Sequence, residues 1–184
     1  LVPDGALEPV GDRGDDDIAD AVAELVVDLL EVVDVAPEDA DVVGRGGGEP
    51  EPRPAAEALQ GLEDVIRYEG PQTIAAVFLE TIVGTNGILI PPDGYIQGVR
   101  EICDRYDILM VADEVMAGFG RTGKMFAIEH WGVVPDLMTM AKGLTSSYLP
   151  LGAVAMRRKI ADAFETKMFF GGLTYSSHPV SLAA

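Results

Sequence analysis

From about residue 58 onward, apolar runs of strand length alternate with amphipathic stretches of helix length, and this alternation limits the fold more than any other feature. "AAEALQGLEDVIRYEG" (55–70) reads as a helix stopped at Gly70-Pro71, and "TIAAVFLE" (73–80) as a buried strand. "DGYIQGVREICDRYD" (93–107) reads as a helix opened by an Asp cap, followed by the strand "ILMVADEV" (108–115). "DLMTMA" (136–141) and "LGAVAM" (151–156) supply two more strands, with the helix "RRKIADAFE" (157–165) behind them. Strands that alternate with helices imply an α/β fold, a mostly parallel sheet flanked by helices on both faces. Ligands of such sheets gather beyond the carboxyl ends of the strands, which puts Glu80, Asp113-Glu114 and Lys142 on one rim.

Residues 1–57 are of another kind. They carry a net charge of −14, against −4 for residues 58–184. One helix is readable there, in "DDDIADAVAELVVDLLEVVDV", with Asp15, Asp16 and Asp17 at its positive end. "GRGGGEPEPRPAAE" (44–57) follows as a Gly/Pro linker. The expected organisation is an acidic N-terminal segment, 1–57, and an α/β unit, 58–184. A formal charge of −18 argues against nucleic acid as a partner, because phosphate contacts need a positive surface, and such acidity suits a high-salt cytosol as well as an ordinary acidic segment. No apolar run approaches the roughly 18 residues of a membrane span, and nothing resembles a signal peptide. A single cysteine, Cys103, excludes an internal disulfide and fits a reducing, cytoplasmic compartment. His130 and His178, the two histidines, stand too far apart in sequence to suggest a metal site, and none is expected.

The chain has four lysines, and Lys142 is the one set at the end of an apolar run, Leu137-Met138-Thr139-Met140-Ala141. A lysine so placed either snorkels its charge to water or finds covalent work. "GFGRTGK" (118–124) satisfies both G-x-G-x-x-G and the front of a P-loop. Neither nucleotide reading holds on mechanism. Met125 stands where a P-loop needs Ser or Thr for magnesium, and Asp-Glu-Val-Met-Ala separates the strand from the first glycine.

Residues 108–154, "ILMVADEVMAGFGRTGKMFAIEHWGVVPDLMTMAKGLTSSYLPLGA", resemble the class III aminotransferases, pyridoxal-phosphate enzymes of fold type I. The likeness runs from about Leu62 to the C-terminus, and residues 1–57 lie outside it. "VGTNGILIPPDGY" and "DEVMAGFGRTGK" are most similar to the branch that moves amino groups from ω-amino acids or amines to pyruvate. The resemblance implies the central part of a fold type I large domain with pyridoxal 5′-phosphate as cofactor. It makes Lys142 the catalytic lysine, bound to the cofactor aldehyde and then free to carry a proton. It makes Asp113 the carboxylate that keeps the ring nitrogen protonated, and Val115 a wall against the ring. It also implies a homodimer in which Thr174, in "GGLTYSSHP", reaches a neighbour's cofactor phosphate.

Departures from the pattern matter too. Glu80 ends its strand where the family reads Glu-Pro, but Thr81 follows here, so Glu80 is either a cofactor-site residue or a structural one. Met116 stands in place of a glutamine that bonds the cofactor's ring oxygen, and Thr85 in place of a glutamate kept by ornithine- and GABA-type members. The phosphate-binding Gly-Ser turn, the stacking aromatic and the carboxylate-binding arginine have no counterpart in these 184 residues. The expected function is transamination by a larger enzyme of which this is the middle. The alternative is a non-catalytic remnant that keeps part of the fold.

Overall fold

The computed structural model describes residues 54–172, 174 and 176–183, so the helix expected near 18–33 and the linker lie outside the described residues. Helix α1 (Ala55–Glu69) leads to strand β1 (Ala76–Glu80), α2 (Tyr95–Tyr106) to β2 (Leu109–Asp113), and β3 (Leu137–Met140) is followed by β4 (Ala153–Met156), α3 (Arg158–Ala163) and the short α4 (Pro179–Leu182). The strands form one sheet in the order β1-β2-β3-β4. The first three run parallel, and β4 returns antiparallel to β3, so the sheet is mixed but mostly parallel, as the alternation predicts.

Side-chain alternation along β2 assigns its two faces. Met110 and Ala112, with Ile108 just before the strand, pack against Leu62 and Ile66 of α1 and Ile96, Val99, Ile102 and Cys103 of α2. Leu109 packs on the other side with Ile160 of α3, Ala76 and Leu137. The same alternation sends Asp113 to the α3 side and Glu114 to the side of α1 and α2. Cys103 sits in the first of these clusters, where burial pushes its thiol up to about 11 and leaves it an inert core residue.

Two polar anchors hold the helices, one to the sheet and one to each other. Asp136, at the entry to β3, is 3% exposed. Its Oδ2 accepts from Arg100 of α2 at 2.6 Å and from the Met110 N–H at 2.9 Å, which fixes the start of β2 and β3 against α2. On the outer surface Glu63 of α1 accepts from the Tyr106 hydroxyl and from Arg67 and Arg105. The Tyr106 bond chiefly holds the Glu63 carboxyl below the ordinary carboxylate range.

Three expectations are corrected. The segment read as a strand from residue 73 begins with a 3₁₀ turn, Pro71–Thr73, and β1 starts only at Ala76. Helix α2 has no Asp cap. Gly94 takes that position at φ 82° and no side chain caps it, because Pro92-Asp93-Gly94 forms a turn closed by the Tyr95 N–H on the Pro92 carbonyl at 3.1 Å. Strand β2 ends at Asp113 rather than Val115, because the Val115 N–H turns back onto the Asp113 side chain.

Candidate active site

The carboxyl rim is assembled by strand register. Glu80 pairs with Asp113, and Asp113 with Thr139, so the ends of β1, β2 and β3 stand level. Lys142 comes three residues after Thr139, placing its Cα at most about 10 Å further along the strand direction. Neighbouring strands lie only about 4.8 Å apart, so Asp113 and Lys142 share one edge of the sheet.

Asp113 is half-buried, although a carboxylate that holds a pyridinium proton does so better when largely desolvated. Its Oδ1 accepts from the Val115 N–H at 2.8 Å, an Asx-type turn that fixes the carboxylate plane. Among the described residues this is its one hydrogen bond, so Oδ2 is left for a ligand. Val115 is half-buried beside it.

Lys142 opens a 3₁₀ turn, Lys142–Thr145, directly after β3. It is exposed, and among the described residues its ammonium has no hydrogen-bond or ion-pair partner. Its φ of 42° lies in the left-handed region, where a side chain costs about 1–3 kcal/mol. The Ser147 N–H on the Lys142 carbonyl (3.1 Å) and the Ser146 N–H on the Gly143 carbonyl (3.0 Å) close the turn and hold it there.

Glu114, beside Asp113, is the best-tied group of the rim. It is fully buried at 0% exposure. Its Oε1 accepts from the Ile128 N–H at 2.7 Å and the Thr81 hydroxyl at 3.1 Å, and its Oε2 from the Ala127 N–H at 2.9 Å. Those amides open the 3₁₀ helix Ala127–Trp131, whose free N–H groups are natural partners for an anion. Thr81, the departure from Glu-Pro, therefore ties the end of β1 to the residue after Asp113. A signal for Glu114 exists in the sequence: it continues the alternation of Ile108, Met110 and Ala112 onto the buried face.

The other candidates are spread more widely. Glu80 stands one strand from Asp113, and its Oε2 accepts from the Gly84 N–H at 2.9 Å, a bond that shapes the loop after β1. Met116 fills the space over Gly84, where a Cβ would come 1.8 Å from its Sδ. Thr174 is exposed in the turn before α4, and no interaction among the described residues joins it to the rim. His130 and Trp131 end the 3₁₀ helix, with His130 Nε2 3.1 Å from the Thr122 carbonyl, and His178 starts α4. In "GFGRTGK" the N–H groups of Gly118, Phe119, Gly120 and Gly123 all donate to carbonyls within 114–125. Those four amides are therefore spent within the loop and do not form a phosphate cradle.

The class-III aminotransferase profile matches residues 32–184. The chain belongs to the class III aminotransferase family. The match begins inside the acidic segment, further toward the N-terminus than the motifs alone reach. The chain is 44% identical over 161 residues to the omega-aminotransferase of Caulobacter vibrioides, covering 85% of this chain and 37% of that protein. It is 46% identical over 127 residues to the putrescine–pyruvate aminotransferase of Pseudomonas aeruginosa, covering 68% of this chain and 28% of that protein. Among solved structures, the taurine:2-oxoglutarate aminotransferase of Bifidobacterium kashiwanohense, in complex with PLP and glutamate, is 51% identical with a TM-score of 0.68, covering 70% of this chain and 29% of that one. This class III chain thus spans about a third of the length of the curated relatives it matches. Its mixed, mostly parallel sheet is part of the fold type I α/β domain, and pyridoxal phosphate is the cofactor of the family.

The residues present suit that cofactor at two of its three handles. Among the described residues the Lys142 amine is unengaged, which suits an aldehyde, and Asp113 Oδ2 is free, which suits a basic ring nitrogen, both from the ends of adjacent parallel strands. Among the described residues no helix is long and apolar enough to cross a membrane, and no cluster of His, Cys, Asp and Glu could hold a metal ion.

Proposed function

We propose that this chain carries the lysine and the ring-nitrogen carboxylate of a pyridoxal-phosphate-dependent transaminase, one that moves an amino group from an ω-amino acid or amine to a keto acid such as pyruvate. The observation that carries the reading is the pairing of Lys142, without a partner among the described residues, with a half-engaged Asp113 at one sheet rim. The relatives support the donor class. Putrescine and taurine, named in two of them, share a primary amine on an unbranched terminal carbon. The intact bonding of the rim favours a working enzyme over a non-catalytic remnant.

Bound pyridoxal phosphate would supply an electron sink for the pair left on the substrate carbon when its proton departs. The chain's own residues do the rest. Lys142 Nζ would hold the cofactor through its aldehyde, and as a free amine it would serve as the base and acid that moves the proton of the donor's amine-bearing carbon. Asp113 Oδ2 would hold a proton on the ring nitrogen, with the Val115 N–H on Oδ1 fixing the carboxylate. Val115 serves as a wall of the ring site, and Glu80 sets the loop beside it. Thr174 would reach the phosphate of a neighbouring copy, which makes the working form a homodimer. The single cysteine fits a cytoplasmic setting, and of the acidic segment 1–57 only residues 1–31, which precede the family match, are assigned outside the catalytic unit.

The test is turnover in the full-length protein. With pyridoxal phosphate and pyruvate, putrescine, β-alanine or taurine should yield alanine. Turnover confined to pairs of α-amino and α-keto acids would contradict the donor class. Asp113→Asn keeps the acceptor for the Val115 N–H, so it should retain the cofactor while losing rate by on the order of a hundredfold or more. An unchanged rate in that variant would remove Asp113 from the site.

A further inference from the structure

Lys142 is not the only residue near the rim with a left-handed backbone. Phe119, in the loop after β2, has φ 60°, an outlier for a bulky side chain. The two strained segments meet. A Cβ placed on Gly143, next to Lys142, would lie 2.7 Å from the Phe119 Cβ and 3.1 Å from its ring atoms Cγ and Cδ2. Real Cβ atoms do not come so close, so Gly143 is seated on Phe119 with no room for a side chain.

Phe119 is itself held. Its N–H donates to the Met125 carbonyl at 2.6 Å, and its ring meets Phe126 edge-on at 5.5 Å. The Phe126 N–H donates to Glu129 Oε1 at 2.8 Å, and the 3₁₀ helix that follows is clamped by buried Glu114. A continuous set of contacts thus leads from the residue after Asp113, through Phe126 and Phe119, to the residue after Lys142. Strain at both ends of such a contact persists only where the surroundings over-determine it, and it collects at functional sites.

We propose that Phe119 is a positioning residue for Lys142: its Cβ and ring bear on Gly143 and hold the lysine turn in its left-handed form, so that the amine is presented to the cofactor aldehyde. The inference rests on the reading of Lys142 as the cofactor-binding lysine. It concerns only where that amine is held. A misplacement of about 1 Å at a reacting group costs on the order of a hundredfold, so a contact that sets the height of the turn is worth measuring.

The experiment follows covalent attachment rather than turnover. Full-length apoprotein is mixed with pyridoxal phosphate, quenched with borohydride at intervals, and the pyridoxyl label on Lys142 is quantified by mass spectrometry, with melting recorded for each variant. Gly143→Ala should slow labelling of Lys142 by about tenfold to a hundredfold. Phe119→Gly, which removes the opposing Cβ, should restore much of that loss in the double variant. Phe119→Ala, which keeps the Cβ, should not. Phe119→Ala alone, at a half-buried position, should slow labelling by several-fold, on the order of 1 kcal/mol in barrier. Labelling at the parent rate in both Gly143→Ala and Phe119→Ala overturns the inference, as does equal rescue by Phe119→Gly and Phe119→Ala. A parent protein that takes no label on Lys142 overturns the underlying reading instead.

Discussion

Lys142→Ala in the full-length protein is expected to lower transamination by at least about a thousandfold, because on the proposed reading one amine would both hold the cofactor and move the proton. The same change should leave stability almost untouched. Lys142 is exposed, its ammonium has no partner among the described residues, and alanine meets the same left-handed backbone with the same Cβ. A rate that collapses while the melting temperature stays within a degree or two is the signature of a chemical role. A parallel loss of both would mean that the side chain is structural. Retention of more than about a tenth of the activity would mean that another amine does the work.

Glu114→Ala should do the reverse and strike the fold first. The substitution strands three buried donors, the Ala127 and Ile128 N–H groups and the Thr81 hydroxyl, and opens a cavity at a site with 0% exposure. Each buried donor left unpaired costs about 1–3 kcal/mol, so a loss of about 3–5 kcal/mol is expected, shared partly with water that enters the cavity. Glu114→Gln should cost less, about 1–3 kcal/mol, because the amide keeps one acceptor but turns its NH₂ toward a donor. Denaturant midpoints at constant slope measure both. Midpoints that match the parent would show that the clamp on the 127–131 helix contributes nothing to stability.

How far the sequence disclosed this arrangement depends on how local each cause is. The α/β alternation was legible because each strand and helix carries its own periodicity, and β1 to β4 fall within the stretches that it marks. The rim followed from it, since parallel strands bring their carboxyl ends together. The ends of elements were less legible. Strand β2 looks apolar through Val115, yet it stops at Asp113, because a side chain competes for the next amide. The cap of α2 went to Gly94 because the preceding prolines set a turn that leaves Asp93 outside the helix.

Contacts between distant segments were beyond reach. Arg100 and Asp136 stand 36 residues apart, and no local pattern announces their bond. The same holds for Thr81 and Glu114, 33 apart, although the alternation along β2 did point Glu114 inward. The left-handed backbone at Lys142 and Phe119 carries no glycine signature, so only the structure reveals it. The family resemblance named Lys142 and Asp113, and the structure adds what holds each of them. Asp113 is fixed by the Asx turn at Val115 and the Glu114 clamp behind it, and Lys142 by the turn that closes over Gly143.

The central claim is that Lys142 is the amine that meets the cofactor. Pyridoxal phosphate added to the full-length protein, reduced with borohydride and mapped by mass spectrometry should leave its label on Lys142, with Lys124, Lys159 and Lys167 unmodified at one equivalent of cofactor. Label on any of those three lysines with Lys142 untouched would contradict the account.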